Sequence, residues 1–250
     1  FNKFAKGLLG TNNIDTNSRL CMSSAVAGYK ATLGADAPPA CYEDIAQAAT
    51  LLISGANPAW AHPILFRRIE DAKRANPALR IIVCDPRRTD SAEIADLHLA
   101  LRPGSDVWLY HGMLRCMIEQ GWLDEDFIAT RTEGWMGLAA LVTQATPEAV
   151  ERHCGIAPAD LLQAARWFAG VQEGSSTRLP TLSLYCQGLN QSAHGTDNNT
   201  ALINLHLACG QIGRPGAGPL SLTGQPNAMG GREVGALANQ LSAHRNLADP

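Results

Sequence analysis

The chain has 250 residues, 46% hydrophobic and 17% charged, with 20 Lys and Arg against 23 Asp and Glu for a formal net charge of −3. That is the balance of a globular protein large enough to bury a substantial core, with no basic excess for a nucleic-acid partner. No run approaches the ~18 apolar residues that cross a bilayer, and Phe1 to Lys6 lack a signal-peptide pattern, so no membrane partner is expected.

Residues 1–40 are rich in Gly, Asn, Ser and Thr and close on Pro38-Pro39. They read as an irregular segment around one short helix near 23–33. From residue 41 a regular alternation sets in. Residues 42–49 read as a helix, 51–54 as a buried strand, 63–75 as a helix, 80–84 as a second strand, 91–97 as a short helix and 97–101 as a third strand. Residues 105–170 are helical by pattern, with Ser105 a good N-cap and Pro147 and Pro158 suited to first turns. A strand over 179–186 and a helix over 198–209 follow, and then eight glycines fall from Gly210 to Gly235. The apolar strands are too continuous for a sheet wet on one face. The expected fold is therefore α/β, a doubly wound, mostly parallel Rossmann-like sheet with helices on both faces, over residues 41–250.

Open α/β sheets bind ligands at the carboxyl ends of their strands. Three such ends carry polar turns: Ser54-Gly55-Ala56-Asn57-Pro58, Asp85-Pro86-Arg87-Arg88-Thr89 and Arg102-Pro103-Gly104-Ser105-Asp106. Carboxylates there suit ribose hydroxyls or a guanine edge, and paired arginines suit phosphates. Taken singly, each is an ordinary capped turn; in succession they point to a nucleotide. No G-x-G-x-x-G follows the first strand and no G-x-x-x-x-G-K-S/T occurs, which weighs against nicotinamide and P-loop readings.

The seven cysteines (21, 41, 84, 116, 154, 186 and 209) contain no C-x-x-C pair, which supports neither a disulfide framework nor a zinc or iron–sulfur site. Cys84, Cys116, Cys186 and Cys209 lie in apolar runs and read as core thiols, while His62, His98, His111 and His206 read as structural. His194 sits in a polar loop after a strand.

The segment Asn17-Ser18-Arg19-Leu20-Cys21-Met22-Ser23-Ser24-Ala25-Val26-Ala27-Gly28-Tyr29 resembles the metal-ligand segment of the molybdopterin oxidoreductases of the dimethyl sulfoxide reductase superfamily. The Asp85 and Arg102 turns resemble that family's nucleotide contacts. Three later segments, beginning at Gln187 (Gln-Gly-Leu-Asn-Gln), Gly210 (Gly-Gln-Ile-Gly-Arg-Pro-Gly) and Gly224 (Gly-Gln-Pro-Asn-Ala-Met-Gly-Gly-Arg-Glu-Val-Gly), complete the resemblance to its guanine-dinucleotide and pterin contacts. Met22 after the cysteine is similar to the nitrate reductases, whereas formate dehydrogenases place His there. The Asp85 to Thr89 turn leans towards the cytoplasmic, assimilatory branch.

The resemblance implies molybdenum carried by bis-molybdopterin guanine dinucleotide, with Cys21 as metal ligand, Met22 lining the pocket and Arg232 orienting nitrate. It places the dinucleotide tail on Asn57, Asp85, Arg87, Thr89, Pro103, Gly104 and Asp106, and the pterins near Gln187, Gly188, Asn190, His194, Gln225 and Asn227. It also implies a 4Fe–4S cluster in the parent protein, with ligands outside this chain, and a ferredoxin, flavoprotein or NADH-linked electron donor. The 250 residues alone are not expected to turn over. The chemistry agrees: soft sulfur ligands suit a metal that changes oxidation state, and an anionic substrate needs a fixed cation. The alternatives are another family member, such as a formate dehydrogenase, or a catalytically silent scaffold subunit.

Overall fold

The computed structural model describes residues 1–175 and 177–247. Strands β1 (Thr50–Ser54), β2 (Arg80–Cys84), β3 (Leu97–Leu99), β4 (Thr181–Tyr185) and β5 (Gly218–Ser221) form one all-parallel sheet in the order β3-β2-β1-β4-β5. Every residue of β1 and β4 is buried, the condition that makes these strands continuously apolar instead of alternating. The helices are α1 (Ser18–Leu33), α2 (Pro58–Ala61), α3 (Pro63–Ala75), α4 (Asp106–Glu119), α5 (Glu125–Arg131), α6 (Trp135–Leu141), α7 (Pro147–Cys154), α8 (Pro158–Ala169), α9 (Gln187–Asn190), α10 (Gly195–Ala208) and α11 (Ala228–Glu233).

The strand period of two divides the core. Leu52 and Ile82 face a layer built with Tyr29, Tyr110, Phe168 and Leu202 from α1, α4, α8 and α10, while Leu51, Ile53 and Ile81 face Leu65 and Ile69 of α3. The doubly wound α/β reading holds.

Several local readings change. Helix α1 begins at Ser18, so Cys21 and Met22 lie one turn inside a helix and not in an irregular segment. The reason is packing: Cys21, Met22, Ala25, Gly28 and Tyr29 form one buried stripe, and α1 meets α10 so closely that a Cβ on Gly28 would lie 2.6 Å from Asn199 Cβ. The helices expected at 42–49 and 91–97 are single 3-10 turns, Tyr42–Ala46 and Asp90–Ala92. The first is closed by Asp44, whose carboxylate accepts from Cys41 N at 2.8 Å. Residues 105–170 divide into α4 to α8 at Gly121, Gly134 and Gly155, all at positive φ. Strand β5 was not expected in a glycine-rich stretch. At the amino end, Lys6 Nζ donates to the carbonyls of Gly235, Leu237 and Gln240 at 2.6–2.7 Å, tying the start of the chain to the loop after α11. Among the described residues no helix is long and apolar enough to cross a membrane.

His206 shows how dry the core is. Its Nδ1 lies 2.9 Å from Gln211 O, which can only accept, so Nδ1 carries the proton and Nε2 accepts from Ser183 Oγ at 2.7 Å. Burial holds its pKa down, from an ordinary 6.5 to about 3. Between those values the unfolded chain binds a proton that the folded one refuses. Stability is therefore full above pH 6.5 and falls as pH drops towards 3, by up to about 1.4 kcal/mol per pH unit from this group. Denaturant midpoints measured from pH 7 to 4 should fall less steeply in His206→Gln than in the parent, whatever the variant's stability at pH 7. Parallel slopes would contradict the assignment.

Candidate active site at the strand-order reversal

Strand order reverses between β1 and β4, and there the connections leave the sheet in opposite directions, the place where open α/β sheets take their ligands. Its floor is two glycines. Gly188 N donates to Gly55 O at 2.9 Å, a Cβ on Gly188 would lie 2.5 Å from Gly55 Cα, and a Cβ on Gly55, at φ +55°, would lie 2.7 Å from Leu189 N. Beside them Gln187 opens α9, and its Nε2 lies 2.6 Å from Cys21 Sγ. Helix α1 thus delivers Cys21 to the carboxyl end of β4. Cys21 is only 6% exposed and Met22 2%. The Gln187 Oε1 meets the thiol of Cys186, which also lies 3.3 Å from Leu222 O. Burial pushes the Cys186 thiol up to about 11, with Cys21 adding to the shift, so this neighbour stays protonated.

The loop after β5 closes one side. Thr223 O is held by His62 Nε2 at 2.6 Å, and Gln225 Oε1 is buried without a partner. Asn227 is exposed at φ 56° and caps α11, its Oδ1 accepting from Gly230 N at 3.1 Å. Arg232 is buried on α11. Its Nε lies 2.6 Å from Asp36 Oδ2 as an ion pair out of line for a hydrogen bond, and Nη2 donates to Asp36 Oδ1 at 3.3 Å and meets Met229 Sδ, while Nη1 is buried with neither an ion pair nor a hydrogen bond. Asp36 escaped the sequence reading because Gly34-Ala35-Asp36-Ala37-Pro38 looks like any polar turn.

The other strand ends carry the remaining candidates. Asp85 Oδ1 accepts from Arg87 N at 2.8 Å in an Asx turn, Arg87 is exposed, and Thr89 Oγ1 is buried without a partner. Asn57 Oδ1 accepts from Ser91 Oγ at 2.6 Å. Burial raises the pKa of Asp106, and the charge of Asp85 adds to it, so a ligand donor placed between these strand ends would relieve Asp106. Pro103 and Gly104 are exposed in the turn before α4. His194, exposed at the start of α10, shares with Gly104, Trp108 and His111 a cleft of about 400 Å³. Asn190 is 3% exposed and already used, donating to Ser221 Oγ at 3.1 Å and accepting from Asn199 Nδ2 at 3.0 Å; it braces the site from inside.

A family model described as molybdopterin oxidoreductase matches residues 1–249. The chain belongs to the molybdopterin oxidoreductase family. It is 48% identical to a nitrate reductase of Klebsiella oxytoca over 98% of this chain and 27% of that protein, and 46% identical to a nitrate reductase of Synechocystis over 99% of this chain and 34% of that protein. It therefore spans about a quarter to a third of these relatives. A formate dehydrogenase subunit alpha of Methanocaldococcus jannaschii matches at 36% identity over 99% of this chain and 35% of that protein. Among solved structures, acetylene hydratase of Pelobacter acetylenicus superposes with a TM-score of 0.71 at 25% identity, covering 84% of this chain and 27% of that one.

The residues fit the molybdenum–pterin cofactor of the family. A soft sulfur stands at the strand-order reversal beside bare glycine backbone, and the buried Thr89 Oγ1, Gln225 Oε1 and Arg232 Nη1 await partners. Among the described residues no three His, Cys, Asp or Glu side chains gather into a metal site, so a metal at Cys21 would take its other ligands from the cofactor.

Two outcomes follow. Gly188→Ala drives a Cβ into the Gly55 backbone and should cost about 1–3 kcal/mol or more with loss of bound cofactor; a parental denaturant midpoint would contradict the contact. Asp36→Ala strands the buried Arg232 cation and should cost about 3–5 kcal/mol, part of which Asp36→Ala/Arg232→Met should recover. A near-neutral Asp36→Ala would show that the pair carries no such weight.

Proposed function

We propose that the protein is the catalytic subunit of a nitrate reductase, and that these residues supply its metal ligand and a guanine-dinucleotide-binding half of its site. The observation that carries this reading is Cys21 Sγ at the carboxyl end of β4, followed by Met22 and not His, in a chain nearly half identical to nitrate reductases. When bound, bis-molybdopterin guanine dinucleotide supplies a molybdenum centre that accepts an oxygen atom from nitrate. Cys21 holds the metal through its thiolate, and buried Met22 walls the pocket with a thioether. Asp85 and Asp106 accept from the guanosine, and Arg87 and Thr89 offer donors to its phosphates, with Asn57, Pro103 and Gly104 shaping the turns around it. Gln225, His194 and the backbone of Gly188 face the pterins, and Asn190 and Asn227 hold the segments that carry those groups.

Arg232 orients nitrate. Asp36 pairs with the Nε and Nη2 edge and Met229 Sδ meets Nη2, which fixes the plane of the guanidinium, and Nη1, with neither an ion pair nor a hydrogen bond, is the donor left for an oxyanion. Electrons arrive through a 4Fe–4S cluster carried elsewhere in the parent protein, from a ferredoxin, flavoprotein or NADH-linked partner in the cytoplasm. The 250 residues do not turn over alone. The second reading, formate oxidation, has a relative at 36% identity in its favour and Met22 against it.

The two separate in the full-length protein, which should reduce nitrate and leave formate untouched. Arg232→Lys keeps a cation for Asp36 but loses the planar fork. It should retain molybdenum while nitrate turnover falls on the order of 10–100-fold, the scale of one charge-assisted hydrogen bond. Formate oxidation by the parent, or parental nitrate kinetics in Arg232→Lys, would refute the assignment.

A further inference from the structure

The contact between Gln187 and Cys21 has a direction. Nε2 carries hydrogens and the sulfur accepts, at 2.6 Å. A side-chain amide can rotate end for end, which would place Oε1, an acceptor, against the same sulfur. Against the flip stands Cys186, whose thiol meets Oε1 and has one hydrogen to give, with Leu222 O at 3.3 Å the other acceptor in its reach. Cys186 is the extended residue before α9 and Gln187 the first residue of that helix, so consecutive side chains clasp one another above the end of β4. Gly224, in the loop overhead, brings no side chain to compete, since a Cβ there would lie 3.9 Å from Gln187 Nε2. With the thiol hydrogen on the Gln187 carbonyl, the three groups form a directed chain that ends with the Gln187 amide donating to the Cys21 sulfur.

We infer that Gln187, oriented by Cys186, is a positioning residue that tunes the redox potential of the metal held at Cys21. The inference rests on the reading of Cys21 as metal ligand. A hydrogen bond donated to a metal-bound thiolate draws electron density from the sulfur, so the metal is less electron-rich and more easily reduced. Removing the donor moves the midpoint potential to more negative values. Reversing the amide does the same, because an oxygen lone pair then faces the sulfur. A role confined to packing moves stability and leaves the potential where it was.

The test uses the full-length holoenzyme, with potentiometric titration of the molybdenum EPR signal alongside metal content and melting temperature. Gln187→Glu keeps the shape and replaces the donor with an acceptor; it should shift the midpoint negative and change the g values while molybdenum stays bound. Cys186→Ser retains a hydroxyl donor and should stay near parental. Cys186→Ala frees the amide to rotate and should shift the midpoint in the same direction by less. A molybdenum-loaded Gln187→Glu protein with parental potential and spectrum overturns the proposal. Should that variant lose its metal, Cys186→Ala decides, and a parental potential there overturns it equally. Cys21→Ser separates the two layers. An unchanged spectrum in Cys21→Ser removes the ligand and the tuning with it, whereas a changed spectrum there beside an unchanged one in Gln187→Glu removes the tuning alone.

Discussion

Two stretches of backbone, at Gly55 and Gly188, must come within 2.9 Å of each other at the point where strand order reverses, and the rest of the site is arranged around that contact. Parallel strands require crossovers, and crossovers that leave in opposite directions open a gap between neighbouring strand ends. The two backbones meet this closely only because neither residue carries a side chain. With the floor set, Gln187 is placed at the lip and Cys21 is met by its amide.

Helix α1 supplies the second half of the arrangement. It lies outside the strand–helix alternation, yet its buried stripe is pressed against α10, and Tyr29 reaches the last strand, its hydroxyl donating to Pro219 O at 3.2 Å and accepting from Ser221 N at 2.9 Å. The Asp36–Arg232 pair then joins the turn after α1 to α11. A buried ion pair is a costly fastening compared with apolar packing of the same volume, and its use here leaves one guanidinium edge both fixed and unspent. In the proposed role of Arg232, stability and recognition would draw on the same side chain.

How much of this could be read in advance depended on whether a residue's role was set locally. Residues 51–54 and 80–84 were legible as strands because burial on both faces forces an unbroken apolar run. Strand β5 was not, because Gly218-Pro219 carries no such run and its burial comes from neighbours distant in sequence. The start of α1 was placed too late since its first turn, Ser18 to Cys21, is helical through packing on α10 more than through propensity. The candidate site divided likewise. Cys21, Met22 and the strand-end turns stood out by motif, whereas Asp36, Cys186 and the paired role of Arg232 depend on contacts across 36 to 196 positions of chain. Asn190 and Asn227 carried the right chemistry for ligands, yet the structure shows them bonded to the protein.

The central claim, that the Cys21 sulfur is a ligand to molybdenum, is a statement about what surrounds the metal atom. X-ray absorption at the molybdenum edge of the full-length protein reads it most directly, by counting sulfur neighbours in the parent and in Cys21→Ser at equal metal content. The account predicts that the variant loses one sulfur from the shell and gains at most one oxygen or nitrogen. An identical sulfur shell in the two proteins would contradict it.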